Sequence, residues 1–149
     1  MDQSRRKELF SQIVDEHCEA IRRLCTGYER GEAQRHDLEQ EILLNLWRAL
    51  PRYRGDASLR TWVYRVAHNT AAKHVRSAKR RPKGTTDETR LARQASRDAG
   101  PEEKLAQSDA RARLAACIAQ LRPLDRQIIL LYLEEVPQTE IGAIVGLSQ

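Results

Sequence analysis

Phe10, Ile13, Val14, His17, Ile21, Leu24 and Cys25 recur at three- and four-residue steps, which predicts an amphipathic helix running to about Gly27. A second helix is expected over 35–50, where Leu38, Ile42, Leu46 and Leu50 form one apolar edge, Leu43 and Trp47 widen it, and Pro51 stops it. Short polar connections fall at 28–32 and 53–58; in the latter, Gly55 permits a turn and Ser58 is a candidate N-cap. A third helix is expected over 59–79, about 30 Å long, with Leu59, Trp62, Val63, Val66, Ala67, Thr70 and Val75 facing inward.

Beyond Arg81 the periodicity stops, and residues 82–100 read as a polar flexible linker in which 90–95 could form at most a weak helical turn. Pro101, Glu102 and Glu103 then suit a helix start, with proline in the first turn and carboxylates near the positive end of the helix dipole. Its apolar positions include Leu105, Ala112, Ala115, Ala116, Ile118 and Leu121. Pro123 opens another helix carrying Ile128, Ile129, Leu131 and Leu133, and Thr139 is a candidate cap for a last one holding Ile141, Ile144 and Val145 before Gly146. No segment keeps a strand period, so the expected fold is all-α, with two small helical domains at 1–81 and 101–149 joined by the 82–100 linker.

Composition changes this picture little and charge changes it more. The 149 residues are 40% hydrophobic and 32% charged, which suits helical units with thin cores. Residues 1–81 hold 17 Lys+Arg against 11 Asp+Glu, a net of +6, whereas 82–149 hold 9 against 10, a net of −1. The first part is therefore the better polyanion binder. Within 60–81, Arg60, Arg65, Lys73, Arg76, Lys79, Arg80 and Arg81 face no acidic residue at all, an asymmetry unusual for a merely solvated face.

Cys18, Cys25 and Cys117 are odd in number and lack CxxC spacing, so neither a disulfide framework nor a cysteine-rich zinc site is indicated. His17, Cys18 and Cys25 share one helix without a convergent third and fourth ligand, and His36, His68 and His74 add no metal spacing. The chain shows no Ser-His-Asp order, phosphate-cradling glycine loop or HExxH, so no cofactor, metal or enzymatic activity is expected. The start, Met1 to Phe10, lacks an apolar leader segment, and the longest apolar run, 128–133, is too short to span a bilayer. A cytoplasmic protein without membrane insertion is the expectation.

The runs AspLeuGluGlnGluIle at 37–42, LeuTrpArgAlaLeu at 46–50, TyrArgGlyAspAlaSer at 53–58 and ThrTrpValTyrArgValAlaHisAsn at 61–69 resemble, in order and spacing, region two of the extracytoplasmic-function (ECF) sigma factors of the sigma-70 family. LeuArgProLeuAspArgGlnIleIleLeuLeu at 121–131 and GlnThrGluIleGlyAlaIleValGlyLeuSer at 138–148 resemble the start of region four. The resemblance implies an alternative sigma factor that binds core RNA polymerase, recognises a promoter and helps to melt it at transcription initiation. It places Asp37, Gln40 and Glu41, with Leu44 and Trp47 beside them, on the clamp helices of the largest polymerase subunit. Trp47 fits either that interface or the core, and its spacing favours the core.

For promoter DNA the resemblance implicates Tyr53, Arg54, Gly55, Asp56 and Ser58 in the loop, and Arg60, Arg65, His68, Asn69, Lys73, Arg76, Lys79 and Arg80 on the helix. Basic side chains supply phosphate contact, while amide and aromatic groups capture a base flipped from the minus-ten element. Trp62 lies on the apolar stripe and reads as core before stacking platform, and Tyr64 points away from it, toward DNA or toward nothing. An anti-sigma partner is a family expectation.

Region four should continue into a recognition helix, yet 139–145 is followed only by the turn at Gly146 and Leu147 and then Ser148 and Gln149. Weak or absent minus-thirty-five readout is expected, with Ile128, Leu131, Ile141 and Ile144 under-covered. Two rival classes remain open, an autonomous helix-turn-helix regulator and a polymerase-binding interaction module without initiation activity.

Overall fold

The computed structural model describes residues 1–79 and 102–146; the 82–100 linker, Arg80 and the segment after Gly146 lie outside the described residues. The protein is all-helical there: α1 (Gln3–Tyr28), α2 (Glu32–Ala49) ending in a 3-10 turn (Leu50–Arg52), α3 (Leu59–Lys79), α4 (Glu102–Gln120), α5 (Pro123–Leu133) and α6 (Gln138–Val145).

The expected stripes assemble α1, α2 and α3 into a three-helix core. Leu38, Ile42, Leu46 and Leu50 have no exposed surface, and they meet Ile13, Ile21 and Leu24 of α1 and Val63, Ala67 and Ala71 of α3. Spacing by three and four puts each row on one helix face, so burial in water follows directly from the pattern. Pro51 sits in the 3-10 turn, where its missing N–H costs nothing to the preceding helix. Ser58 caps α3 as expected: its hydroxyl accepts from the Thr61 backbone N–H at 3.1 Å.

Sequence expectations are corrected for the cap of α6, for the coverage of α5 and α6, and for Tyr64. Thr139 lies inside α6, whose N-cap is Pro137. The first part of α4 docks little, for Leu105 is 53% exposed and only the C-terminal end reaches the core, through Ile118. Leu131, Ile141 and Ile144 are well covered, because α5 and α6 fold back and pack on Ala20 of α1 and Tyr64 of α3. Tyr64 accordingly has a packing role and is buried, pointing neither to solvent nor to nothing.

Two details permit this fold-back. Gly27 lets the Leu130 side chain approach so closely that a Cβ there would press on its methyl groups. Arg126, buried in the first turn of α5, donates to the carbonyls of Ile118 and Ala119 in the last turn of α4 and lies 5.5 Å over the Tyr28 ring. Helix α3 is thus buried on two flanks, by α1 and α2 on one and by the second half of the chain on the other.

His68 occupies the seam. It is 1% exposed, is hydrogen-bonded through Nδ1 to the Tyr28 hydroxyl at 2.9 Å, and has its pKa pushed down to about 3 by burial. The unfolded chain, with an ordinary histidine near 6.5, takes up a proton below that pH that the folded chain refuses. The His68 contribution to stability is therefore full above pH 6.5 and falls as pH drops, by at most about 1.4 kcal/mol per pH unit. Urea unfolding at successive pH values between neutrality and pH 5 should show this slope, and His68→Gln should flatten it; an unchanged slope in the variant refutes the assignment. Leu46→Ala, which opens a cavity in the fully buried row of α2, should cost about 2–5 kcal/mol in the same measurement at neutral pH.

Candidate nucleic-acid and polymerase interfaces

Asp37, Gln40, Glu41 and Leu44 lie on one exposed face of α2, opposite the buried Leu38, Ile42 and Leu46. The three- and four-residue steps that bury one row necessarily present the other. Leu44 is 45% exposed, an apolar patch among polar groups suited to docking. Trp47 continues the face but is half-buried: Phe10 packs against it edge-on at 5.3 Å, and the Arg6 guanidinium lies 4.0 Å over its ring. The Glu41 carboxylate accepts from His74 Nδ1 at 2.8 Å, and His74 Nε2 lies 3.4 Å from Glu29, so one imidazole ties together α2, α3 and the end of α1. Burial raises the Glu29 carboxyl pKa, partly opposed by His74.

The loop between the 3-10 turn and α3 is shaped by its own residues. Gly55 has φ +81°, a left-handed conformation that favours glycine, and nothing fills the space beside it. The Tyr53 hydroxyl donates to the Ala57 carbonyl at 2.9 Å, and its ring lies 5.2 Å from that of Trp62. Arg54, Asp56 and Ser58 are exposed around this aromatic pair. Trp62 is half-buried, between core and surface.

On α3 the candidates separate into two sets. Arg65, Asn69, Lys73 and Arg76 follow one another at three- and four-residue steps along an exposed stripe, with Lys79 at the end of the helix. Arg60 and His68 lie on the neighbouring flank, the one facing the second half of the chain. His68 is closed off there and does not reach solvent, so the structure does not bring it to the other DNA candidates.

Sequence reasoning missed the partners of Arg60 and Arg65. The Arg60 guanidinium makes a two-pronged pair with Glu140 of α6, at 3.0 and 2.7 Å, and the Thr61 hydroxyl donates to the same carboxylate at 3.2 Å. These contacts, led by the Arg60 hydrogen bond, hold the Glu140 carboxyl below its ordinary range. Arg65 donates to the Ala143 carbonyl at 2.6 Å, an acceptor at the negative end of α6. On the far side, Arg23 of α1 pairs with Glu134 at 2.6 and 2.8 Å. The only sequence signal was the charge contrast between the two parts of the chain, which named no residues.

The α5–α6 turn places both glutamates. The N–H groups of Glu135 and Val136 return to the carbonyls of Tyr132 and Leu131, and Val136 packs with Leu131, which makes a Schellman closure of α5. Glu135 takes the left-handed position at φ +59°, where glycine is usual, and the turn holds α6 in place beside α3. Among the described residues no group of three or more His, Cys, Asp or Glu side chains could hold a metal ion, and no helix is long and apolar enough to cross a membrane. The Cys25 thiol is buried and its pKa is pushed up to about 12.

Comparison with known proteins matches residues 13–81 to sigma-70 region 2. The RNA polymerase sigma-H factor of Pseudomonas aeruginosa is 34% identical over 76 residues, covering 51% of this chain and 39% of that protein. The ECF RNA polymerase sigma factor SigG of Mycobacterium tuberculosis is 46% identical over 46 residues, 31% of this chain and 12% of that one. The ECF RNA polymerase sigma-E factor of Escherichia coli is 44% identical over 46 residues, 31% of this chain and 24% of that one. The chain thus spans well under half the length of these relatives. In the structure of CnrH in complex with the cytosolic domain of CnrY, the matching chain has the same fold, with a TM-score of 0.62 at 24% identity over 93% of this chain and 74% of that one. Residues 13–81 thus carry the sigma-70 region 2 pattern, over which the chain is similar to ECF sigma factors, and the likeness to the CnrH complex shows the all-helical fold.

Proposed function

We propose that the chain acts as an alternative sigma factor, binding core RNA polymerase through α2 and promoter DNA through α3 and the loop before it. The observation that carries this reading is the division of labour on one three-helix core. Asp37, Gln40, Glu41 and Leu44 lie exposed on α2, while the acid-free row Arg65, Asn69, Lys73 and Arg76 lies exposed on α3. The first surface suits charge-guided docking followed by apolar burial on the polymerase clamp helices. The second supplies phosphate contacts on either side of an amide, and Asn69 has both a donor and an acceptor for the edge of an unpaired base. Opening DNA and catalysing synthesis are thereby divided: this chain holds the melted strand, and the bond-forming chemistry belongs to the polymerase.

On this reading 1–81 is the polymerase- and minus-ten-binding domain, 82–100 a linker and 101–149 the beginning of region four, all working in the cytoplasm. A regulatory protein is a further proposed partner, by analogy with the CnrY domain bound to CnrH. His68 contributes to this function by holding the seam and makes no DNA contact while the seam is closed.

Asp37→Arg should weaken association with core polymerase at least tenfold, about 1.4 kcal/mol, because it reverses charge at the docking face. Asn69→Ala should leave association intact and reduce promoter opening, read by permanganate reactivity of unpaired thymines. If both variants open promoters like the wild type, the sigma reading is wrong; tight duplex binding without polymerase would point to an autonomous regulator, and polymerase binding without opening to an interaction module. Lys73→Ala should also reduce the dependence of log affinity on log salt by about 0.7–0.9, as one phosphate contact is lost. An unaltered slope would remove Lys73 from the interface.

A further inference from the structure

We propose that α6 is an autoinhibitory latch on the promoter-binding face, in which the Glu140 carboxylate and the Ala143 carbonyl occupy Arg60 and Arg65 in place of DNA, so that full engagement requires α6 to release. The proposal rests on the reading of α3 as the DNA-binding helix.

The occupied groups are the first two arginines of α3, next after the loop at 53–58. A guanidinium presents a planar fork that accepts a carboxylate or a phosphate through the same pair of N–H groups. The Arg60 fork, at 3.0 and 2.7 Å from the two Glu140 oxygens, has its Nε and Nη2 donors taken, and a DNA phosphate would have to displace the carboxylate. Arg65 stands at the N-terminal end of the exposed stripe that continues through Asn69, Lys73 and Arg76, and its guanidinium donates to the Ala143 carbonyl of α6. Those three remain exposed, so the closed chain keeps a foothold for polyanions while its contacts nearest the base-capturing loop are engaged.

The strengths of the contacts fit a reversible device. Beneath the arginines, Ile141, Ile144, Leu131 and Val136 seat against Tyr64 and Ala20, a small apolar patch separate from the main core. The Arg60 and Arg23 side chains remain 45% and 59% exposed, so each ion pair with Glu140 or Glu134 is screened by salt and individually weak. A densely charged strand can outcompete such pairs, because its binding also releases condensed counterions. The Arg23–Glu134 pair lies outside the DNA stripe, yet it clamps the same element, which gives the proposal an independent handle.

The test uses the full chain and a short fluorescein-labelled single-stranded DNA, with affinity read by anisotropy over a salt series and α6 opening by amide hydrogen exchange. Glu134→Gln combined with Glu140→Gln should speed exchange across 138–145, tighten DNA binding about fivefold or more, and steepen the salt slope by about 0.7 for each arginine freed. As a control, Glu135→Gln combined with Asp109→Asn, which removes the same two negative charges at exposed residues outside both pairs, should do neither. Ile144→Lys, which unseats α6 with both glutamates intact, should move exchange and affinity in the same direction as the double variant.

Equal tightening by the Glu135→Gln and Asp109→Asn control would overturn the latch in favour of a bulk charge effect. Faster exchange without tighter binding would overturn it, and so would unchanged exchange in the double variant, since the pairs would then not hold α6. Lys73→Ala and Arg76→Ala separate the two readings: if they weaken binding while the glutamate variants change nothing, the DNA-binding role of α3 stands and the latch falls. If none of these variants affects binding, both fall.

Discussion

The fully buried row Leu38, Ile42, Leu46 and Leu50 decides where every other surface of this protein can lie. Four large aliphatic side chains on one face of α2 leave water together, and the helix period then presents Asp37, Gln40, Glu41 and Leu44 on the opposite face. Helix α3 meets the same core through Val63, Ala67 and Ala71, which turns Asn69, Lys73 and Arg76 outward. Hydrophobic burial, which has no chemical specificity, thus orients two chemically specific surfaces. Neither surface could shift around its helix without driving charged groups into the core.

The second half of the chain is held differently. Leu131, Val136, Ile141 and Ile144 seat against Tyr64 and Ala20, Ile118 and Leu130 join the main core, and the polar pairs Arg23 with Glu134 and Arg60 with Glu140 flank the contact. Gly27 and Arg126 reinforce the attachment, one by close approach and the other by satisfying carbonyls at the end of α4. A core held by aliphatic packing and a smaller apolar seat flanked by solvent-exposed ion pairs respond unequally to salt, to pH and to a competing polyanion. On the proposed reading, that inequality lets one part open while the other keeps its shape.

His68 shows how the same residue types serve different ends. On the linear chain it stands beside Asn69 in a motif associated with DNA contact, yet its ring is sealed between Tyr28 and the second half of the chain and kept neutral by burial. Asn69, one position on, is exposed. One step along a helix rotates a side chain by roughly a quarter turn, enough to separate an interior group from a surface one when both flanks of the helix are covered.

The sequence by itself determined the helices, the α1–α3 core and the exposed face of α2, because period, capping and chain breakers are local and a single amphipathic stripe has one way to be buried. It also carried the family likeness and the positive character of α3. It did not determine that Tyr64 and His68 would be buried, that Leu131, Ile141 and Ile144 would be covered, or that Arg60 and Arg65 would find partners some eighty residues away. Those outcomes depend on which surface the second half of the chain chooses, and a charged residue on a helix gives no local indication of its distant partner. Only the tertiary structure brings Glu140 to Arg60, through a turn at Glu135 and an apolar seat on Tyr64 whose energies arise from contacts between segments.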